Sequence, residues 1–217
     1  LLNMLNARVF DFDRKSNILT DSRLDSQLGE SLKTANGPEA VIIADLIRGM
    51  QRPDWIPEFR DMLARGDEKL KISAIRYLSE FGDDKDRQEI LKVARSGTLA
   101  LRIEAVKNLG INCKSEEFTL LEPLLNDDDS RIRCVTAAVL LNSKDAAIKA
   151  QAKQLFQEFL HSDDDDTHLH AIQCLSMVHV DDITEVVSKL LDDPDDEVKR
   201  ATVHTNQKRV ARRPPHK

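Results

Sequence analysis

The residues with the clearest chemical potential are the runs of aspartate. Carboxylates supply the oxygen ligands that Ca²⁺ and Mg²⁺ prefer. The runs occupy residues 127–129, 163–166 and, within Asp-Asp-Pro-Asp-Asp-Glu, 192–197. None has the alternating ligands, central glycine and distal glutamate of an EF-hand loop. We therefore interpret these runs as helix caps, in which one or two carboxylates accept from free backbone N–H groups and the others face water.

The histidines offer a second chemistry, the binding of a transition metal. His168 and His170 are two residues apart, and side chains at that spacing on a helix point about 200° away from each other, so they cannot chelate one ion together. The sequence has no His-Glu-x-x-His motif and no Cys-x-x-Cys motif. We predict no metal site and no cofactor.

The three cysteines could act as nucleophiles. Cys134 occupies the same repeat position as Ile72 and Ile103 (see below), which favours a place in the core. Cys174 is predicted to be partly exposed, and Cys113 to lie in a turn. A catalytic thiol needs an activating base in a positive environment, and the sequence also has no phosphate-binding glycine loop and no Gly-x-Ser-x-Gly motif. We predict no catalytic residues and no enzymatic activity.

Composition limits the fold and the compartment. The 217 residues carry a net charge of −6, are 41% hydrophobic, and include only seven glycines and seven prolines. Few glycines and prolines argue against a turn-rich β-sandwich or barrel, and the apolar content argues against disorder. Three cysteines without a pairing pattern, no signal peptide and no long apolar stretch predict a cytoplasmic location and no insertion into a membrane.

The elements that position these residues repeat along the chain. The segment 70–78 matches 101–109, and further copies start at Ile132, Thr167 and Val198. Each unit holds two apolar stripes with i, i+3, i+4 spacing, which predict two amphipathic helices per unit. The spacing between the copies that start at Ile132 and Thr167 is four residues longer than the others, which predicts a lengthened first helix within 143–153. The fold expected is an all-α superhelix, a solenoid of about six helix pairs.

Capping residues agree with this division. Aspartates precede the expected second helices, where a carboxylate can accept from free N–H groups at the positive end of the helix dipole. They are Asp67, Asp129, Asp164 and Asp195. Pro53 and Asp54 are expected to begin a first helix, and glycines such as Gly110 to lie at or near helix ends.

The second helices share a turn with Asp, an apolar residue followed by a base, and then Ala and Leu. The apolar–basic pairs are Leu70-Lys71, Leu101-Arg102, Ile132-Arg133 and Val198-Lys199. This pattern resembles HEAT repeats of the short bacterial type over residues 22–205. The resemblance implies a ladder between neighbouring repeats made by the acid and the base four residues later. The matching pairs are Asp67 with Lys71, Asp129 with Arg133, and Asp195 with Lys199, whereas Arg102 follows Thr98 and Asp164 precedes His168.

In HEAT solenoids the second helices line the concave side, which implies a binding face here. By repeat position its central row is Asp45, Arg76, Lys107, Ala138, Gln173 and His204, flanked by Leu46, Tyr77, Asn108, Val139 and Cys174. Arg76 and Tyr77, with Lys107, are the expected hot spot, because Arg and Tyr are favoured interface anchors. Asn108 and Gln173 complete the predicted binding residues.

These features predict a non-catalytic protein-binding or scaffolding module with an unknown protein partner. We expect no nucleic-acid partner, because an acidic body repels phosphate. A HEAT-like DNA glycosylase is a remote alternative, since such enzymes need a basic groove with aromatic side chains, and this chain has one Trp and one Tyr.

The two ends differ from the repeats. Residues 1–21 are interpreted as an N-terminal helix or linker, and 206–217 as a disordered basic tail after a last helix that is cut short, which suggests a fragment and a tail foreign to the native protein. Residues 1–60, with Pro53 to Pro57, are also similar to the segment that joins the membrane domain to HEAT repeats in some bacterial relatives of ATP/ADP translocases. That second resemblance implies a cytosolic regulatory arm of a nucleotide transporter.

Overall fold

The structure, a computed structural model, describes residues 27–32, 37–112, 117–178, 191 and 196–211. The predicted N-terminal segment 1–21, Cys113 and Asp195 therefore lie outside the described residues. The helix pattern predicted for 179–190 lies outside them as well.

The described residues form an all-α fold in which no strand occurs, as the apolar periodicity predicts. A short helix covers 27–32, and α1 (Gly37–Gly49), α2 (Ile56–Arg65) and α3 (Glu68–Phe81) follow. Next come α4 (Asp84–Ser96) and α5 (Leu99–Ile111). Two 3₁₀ segments, Glu117–Leu120 and Glu122–Asn126, precede α6 (Ser130–Leu140). The helices α7 (Ala146–Leu160) and α8 (Asp165–Cys174), a 3₁₀ turn (Leu175–Met177) and α9 (Asp196–Ala211) complete the order.

The chain divides into two compact units, Leu1–Ala74 and Ile75–Lys217. The division falls inside α3, whereas the sequence predicts one continuous array over 22–205. In the first unit α1 and α2 bury one apolar side each, with Ile47 and Phe59 completely inaccessible to water.

The second unit shows helices stacked in chain order. The helix α5 packs on both α4 and α6, and α6 packs on α7 and α8. In turn, α8 packs on α7 and α9. As a result α5, α6, α8 and α9, which the sequence predicts to be second helices, follow one another as neighbours in the stack. Side chains that face the same way from these four helices therefore meet.

Aspartates cap these helices as predicted. The Asp129 carboxylate accepts from the backbone N–H of Arg131, and that of Asp164 accepts from Thr167, at 2.9 Å each. The Asp67 carboxylate accepts from the N–H of Leu70 at 3.0 Å. The expected start of a first helix at Pro53 and Asp54 is two residues early, because α2 begins at Ile56.

The first helix of each predicted pair varies in form. The lengthened helix predicted near 143–153 is α7, with 15 residues against 10 in α2 and 13 in α4. The segment before α6 departs from the prediction of an α-helix, because residues 117–126 form 3₁₀ turns. Pro123 starts the second of these turns, and a proline offers no N–H for an α-helical hydrogen bond to the preceding turn. The apolar spacing is kept even so, and Leu124 and Leu125 are buried.

The last helix is longer than predicted. Residues 206–211 belong to α9, although the sequence analysis places them in a disordered tail. Apolar periodicity detects only an apolar stripe, whereas this segment contains Gln207, Lys208, Arg209 and Ala211, residue types with useful helix propensity. Basic residues at a helix C-terminus also complement its dipole.

None of the described helices is both long and apolar enough to cross a membrane.

Candidate functional site

A pocket of about 390 Å³ opens on the side of the second unit formed by α5, α6, α8 and α9. Its polar lining consists of Lys107, His170, Gln173, Ser176, His204 and Thr205. Its apolar lining consists of Ile103, Val135, Met177 and Ala201, together with Cys174. We call this cavity the Lys107 pocket. The described residues that line it include no Asp or Glu, although the chain as a whole is acidic.

A cluster of two thiols and an imidazole lies at the side of this pocket. The side-chain ligand atoms of Cys134, His170 and Cys174 all lie within 4.8 Å of one another. The Sγ of Cys174 lies 3.8 Å from Nε2 of His170. Both thiols are buried, and His170 is half-buried. We call these three residues the cysteine–histidine cluster.

Helix geometry explains how the cluster forms. His170 and Cys174 are four residues apart on α8, so their side chains lie on the same side of that helix. Cys134 belongs to α6, which packs directly against α8. Two adjacent stacked helices therefore supply the whole cluster, and no loop residue takes part.

The cluster changes the acidity of its members. The hydrogen bond from Cys134, helped by His170 and the positive charge of Lys107, lowers the pKa of Cys174 to about 6 although burial opposes this. The pKa of Cys134 is raised, because that thiol is hydrogen-bonded to Cys174 and is buried. The hydrogen bond to Cys174 also raises the pKa of His170, against the effect of burial.

A network around Glu104 lies next to the pocket on α5. Its carboxylate accepts from Nε of Arg76 at 2.7 Å and from Nδ2 of Asn108 at 2.8 Å, and it lies 3.8 Å from Nζ of Lys107. The Glu104 side chain is only 13% exposed. Burial raises its pKa, but Arg76, Lys107 and Asn108 together outweigh burial, so that the pKa of Glu104 is lowered.

The structure places the predicted binding residues in different surroundings. Lys107 and Gln173 line the Lys107 pocket, as does His204 from the predicted central row. Arg76 and Asn108 are only partly accessible, because they are bound in the network around Glu104.

Tyr77 is misplaced by the sequence analysis. Its side chain is completely buried, and its ring packs against Phe81 with centroids 4.9 Å apart. The residue next to an exposed row on a helix can turn towards the core when the apolar stripe is wide, and Tyr77 does so. Cys174, expected to be partly exposed, is also buried, as are Ala138 and Val139 of the predicted face.

The predicted ladder has different partners in the structure. Arg102 pairs with the carboxylate of Asp127 in the next repeat turn, and its Nε donates to the Ala94 carbonyl at 3.0 Å. Arg133 donates to the backbone carbonyls of Asp127 and Asp128 rather than to the Asp129 carboxylate. Asp129 is held instead by Arg131.

The other two predicted ladder pairs belong to α3 and α9. The Asp67 carboxylate caps α3 through the N–H of Leu70, as described above, and Lys71 follows it within that helix. Lys199 pairs with Asp196 at 2.6 Å, whereas its predicted partner Asp195 lies outside the described residues.

The sequence analysis missed the cysteine–histidine cluster. It compared His168 with His170, at a spacing that cannot chelate, and found no cysteine within reach of a histidine. That conclusion is wrong, because His170 and Cys174 have the i, i+4 spacing that brings two side chains together on a helix. The repeat register adds the second signal, since it makes the helices that carry Cys134 and Cys174 neighbours.

No protein-family model matches the chain, and no curated protein matches it. The function of the site therefore has to be argued from its own geometry.

Proposed function

We propose that the chain is a non-catalytic protein-binding module of the HEAT-repeat type, and that its partner docks in the Lys107 pocket. The observation that carries this proposal is the pocket itself, to which α5, α6, α8 and α9 all contribute lining residues. Helices stacked in chain order support a HEAT-type architecture for this unit.

The lining favours one kind of partner. Lys107, His170 and His204 supply positive or protonatable groups, while Ile103, Val135 and Met177 supply apolar surface. A peptide segment with a carboxylate next to an apolar side chain matches both parts. Charge complementarity of this kind speeds association and selects partners, and an apolar anchor in a pocket supplies affinity.

The acidic body of the protein strengthens the selectivity. The chain has a net charge of −6, whereas the described residues that line the Lys107 pocket include no Asp or Glu. Gln173 and His204 are exposed, so that polar groups able to hydrogen-bond a peptide backbone are accessible at the pocket.

Selection of peptides from a random displayed library against the full chain tests the proposal. We expect enrichment of sequences that place Asp or Glu beside a large apolar residue. The Lys107→Glu variant should weaken binding of the selected peptide by about tenfold or more, because it puts a like charge against the carboxylate.

Lys153→Glu is the matched control, since Lys153 is exposed on the first helix α7 and does not line the pocket. It changes the net charge equally and should leave the affinity almost unaltered. Equal affinity for the wild-type chain and Lys107→Glu, or equal loss in both variants, would contradict docking at this pocket.

A further inference from the structure

We infer that Cys134, His170 and Cys174 bind a Zn²⁺ ion between α6 and α8. The inference goes beyond partner docking and does not depend on it, because the ligands lie within one chain and the ion itself is the probe. Three side chains of the right types with their ligand atoms within 4.8 Å of one another form the starting point.

The donor set selects the class of ion. Two cysteine sulfurs and one imidazole nitrogen are soft or borderline ligands, which favour zinc over the hard, oxygen-seeking Ca²⁺ and Mg²⁺. Two cysteines and one histidine are a ligand set found at zinc sites that keep a fourth position open. Two thiolates also neutralise the charge of a divalent cation.

The distances fit a tetrahedral ion. Zinc–sulfur bonds of about 2.3 Å and a zinc–nitrogen bond of about 2.0 Å place sulfur and nitrogen about 3.6 Å apart, and two sulfurs about 3.8 Å apart. The observed separation between Sγ of Cys174 and Nε2 of His170 is 3.8 Å. The Cys134 sulfur is within 4.8 Å of both atoms. Side-chain movements of about one ångström or less therefore bring all three ligand atoms to bonding distance of one ion.

The surrounding structure supports an ion rather than a purely apolar core contact. His170 is half-buried, and its ring nitrogen is directed at a thiol that is 4% exposed. The ring nitrogen and the two sulfurs are thus ligand atoms that face one another inside the protein. The ligands are also mounted on two packed helices, which hold them more firmly than a loop would.

The Lys107 pocket provides the access that such an ion needs. His170 and Cys174 both line it, so an ion can enter from this side and a water molecule can take the fourth position. When the ion binds, each thiol exchanges its S–H bond for a sulfur–zinc bond, and its proton goes to the solvent. Any proton on Nε2 of His170 leaves in the same way.

Titration of the full, tag-free chain with Co²⁺ tests the inference. The protein is first reduced and stripped of metal, and its free thiols are counted. We expect one Co²⁺ per chain, a sulfur-to-cobalt charge-transfer band in the near ultraviolet, and loss of that band when Zn²⁺ displaces the cobalt. Absence of the band in a fully reduced chain would overturn the inference.

Variants assign the ligands. Cys174→Ser, Cys134→Ser and His170→Gln should each weaken Co²⁺ binding by at least about 10–100-fold, the loss typical even of residues that only support a ligand. His161→Gln is the matched control, because His161 is exposed and lies outside both the cluster and the pocket. A charge-transfer band unchanged in Cys174→Ser would show that the metal binds elsewhere.

Native mass spectrometry of the wild-type chain keeps the test decisive if a variant fails to fold. We expect a species whose mass equals that of the apo-protein plus one zinc ion minus two protons. A reduced, folded chain that acquires no zinc at equimolar Zn²⁺ would contradict the site, whatever the outcome of peptide selection at the same pocket.

Discussion

Gly110 marks a close approach between α5 and α6. A Cβ atom added at this position would overlap the side chain of Val139. The sequence analysis places Gly110 at or near a helix end, and α5 does end one residue later, at Ile111. The requirement at this residue is therefore space for a neighbouring helix, which the order of residues along one helix does not reveal.

Gly110→Ala should lower the free energy of unfolding by about 1–3 kcal/mol, because overpacking against Val139 exceeds the gain in helix propensity. Urea denaturation monitored by circular dichroism measures the change. Gly49→Ala, in α1, is the matched control, since nothing lies within 4 Å of an added Cβ there. A loss at Gly49 equal to that at Gly110 would argue against the close contact.

The Glu104 carboxylate should contribute to stability in a pH-dependent way. Its pKa is lower in the folded chain than its ordinary value of 4.5. The carboxylate therefore stabilises the fold above that value, and this contribution is lost as the pH falls through the lowered pKa. Glu104→Gln should cost about 1–3 kcal/mol at neutral pH, and the difference from wild type should shrink as the pH falls below 4.5 and through the lowered pKa.

Glu89→Gln provides the comparison for Glu104. Glu89 pairs with Lys92 at 2.6 Å, but both side chains are largely exposed. Its replacement should change the free energy of unfolding by less than about 1 kcal/mol. A difference between wild type and Glu104→Gln that stays constant between neutral and acid pH would contradict the ionised network.

Individual residues were predictable from sequence where local chemistry decides their role. The caps Asp129 and Asp164 are of this kind, because a carboxylate accepts from N–H groups two or three residues away. The burial of Tyr77 and the meeting of Cys134 with Cys174 depend on how wide an apolar stripe is and on which helices touch. Neither the width of the stripe nor the identity of the neighbouring helix can be read from the sequence of a single helix.

At the scale of helices, the ion pair between Arg102 and Asp127 links the start of α5 to the turn before α6. The two side chains are 17% and 14% exposed. Arg102 also satisfies the Ala94 carbonyl at the end of α4. One arginine thus joins three consecutive parts of the stack.

Arg102→Met should cost about 3 kcal/mol, because it leaves a poorly solvated carboxylate without its partner. Chemical denaturation measures this loss. Arg131→Met is the matched control, because Arg131 pairs with Asp129 while 54% exposed, and it should cost far less than Arg102→Met. Asp127→Asn should be less costly in the Arg102→Met background than alone; equal costs would contradict a direct pair.

The segment before α6 shows that apolar periodicity predicts burial but does not predict the type of helix. Apolar spacing predicts that Leu124 faces the core, and its side chain is 5% exposed. The same spacing does not distinguish an α-helix from the observed 3₁₀ turns, since Pro123 determines the hydrogen bonding independently of burial. The type of helix in this segment depends on one residue, Pro123, whereas burial follows the apolar spacing that all the repeats share.

Leu124→Ala should lower the free energy of unfolding by about 2–5 kcal/mol, the range for a leucine truncated to leave a cavity. Equilibrium denaturation in urea gives the value. Leu120→Ala offers a control in the preceding 3₁₀ turn, where the side chain is 41% exposed, and should cost much less. A loss below about 1 kcal/mol at Leu124 would contradict its place in the core.

At the scale of the whole molecule, the repeat predicts the helix order but not the division into two units. Successive copies at Leu101, Ile132, Thr167 and Val198 correspond to α5, α6, α8 and α9 in the stack. The division at Ala74 and Ile75 lies within α3, where the repeat pattern is uninterrupted. Repeat position also brings Lys107, Gln173 and His204 to one pocket.

Hydrogen–deuterium exchange of the full chain, with and without a peptide selected for binding, tests the role of the Lys107 pocket most directly. We expect slower exchange of backbone amides in α5, α8 and α9 when the peptide is bound, and unchanged exchange in the first helices α4 and α7. Protection confined to α4 and α7, with none in the helices that line the pocket, would contradict docking on this face.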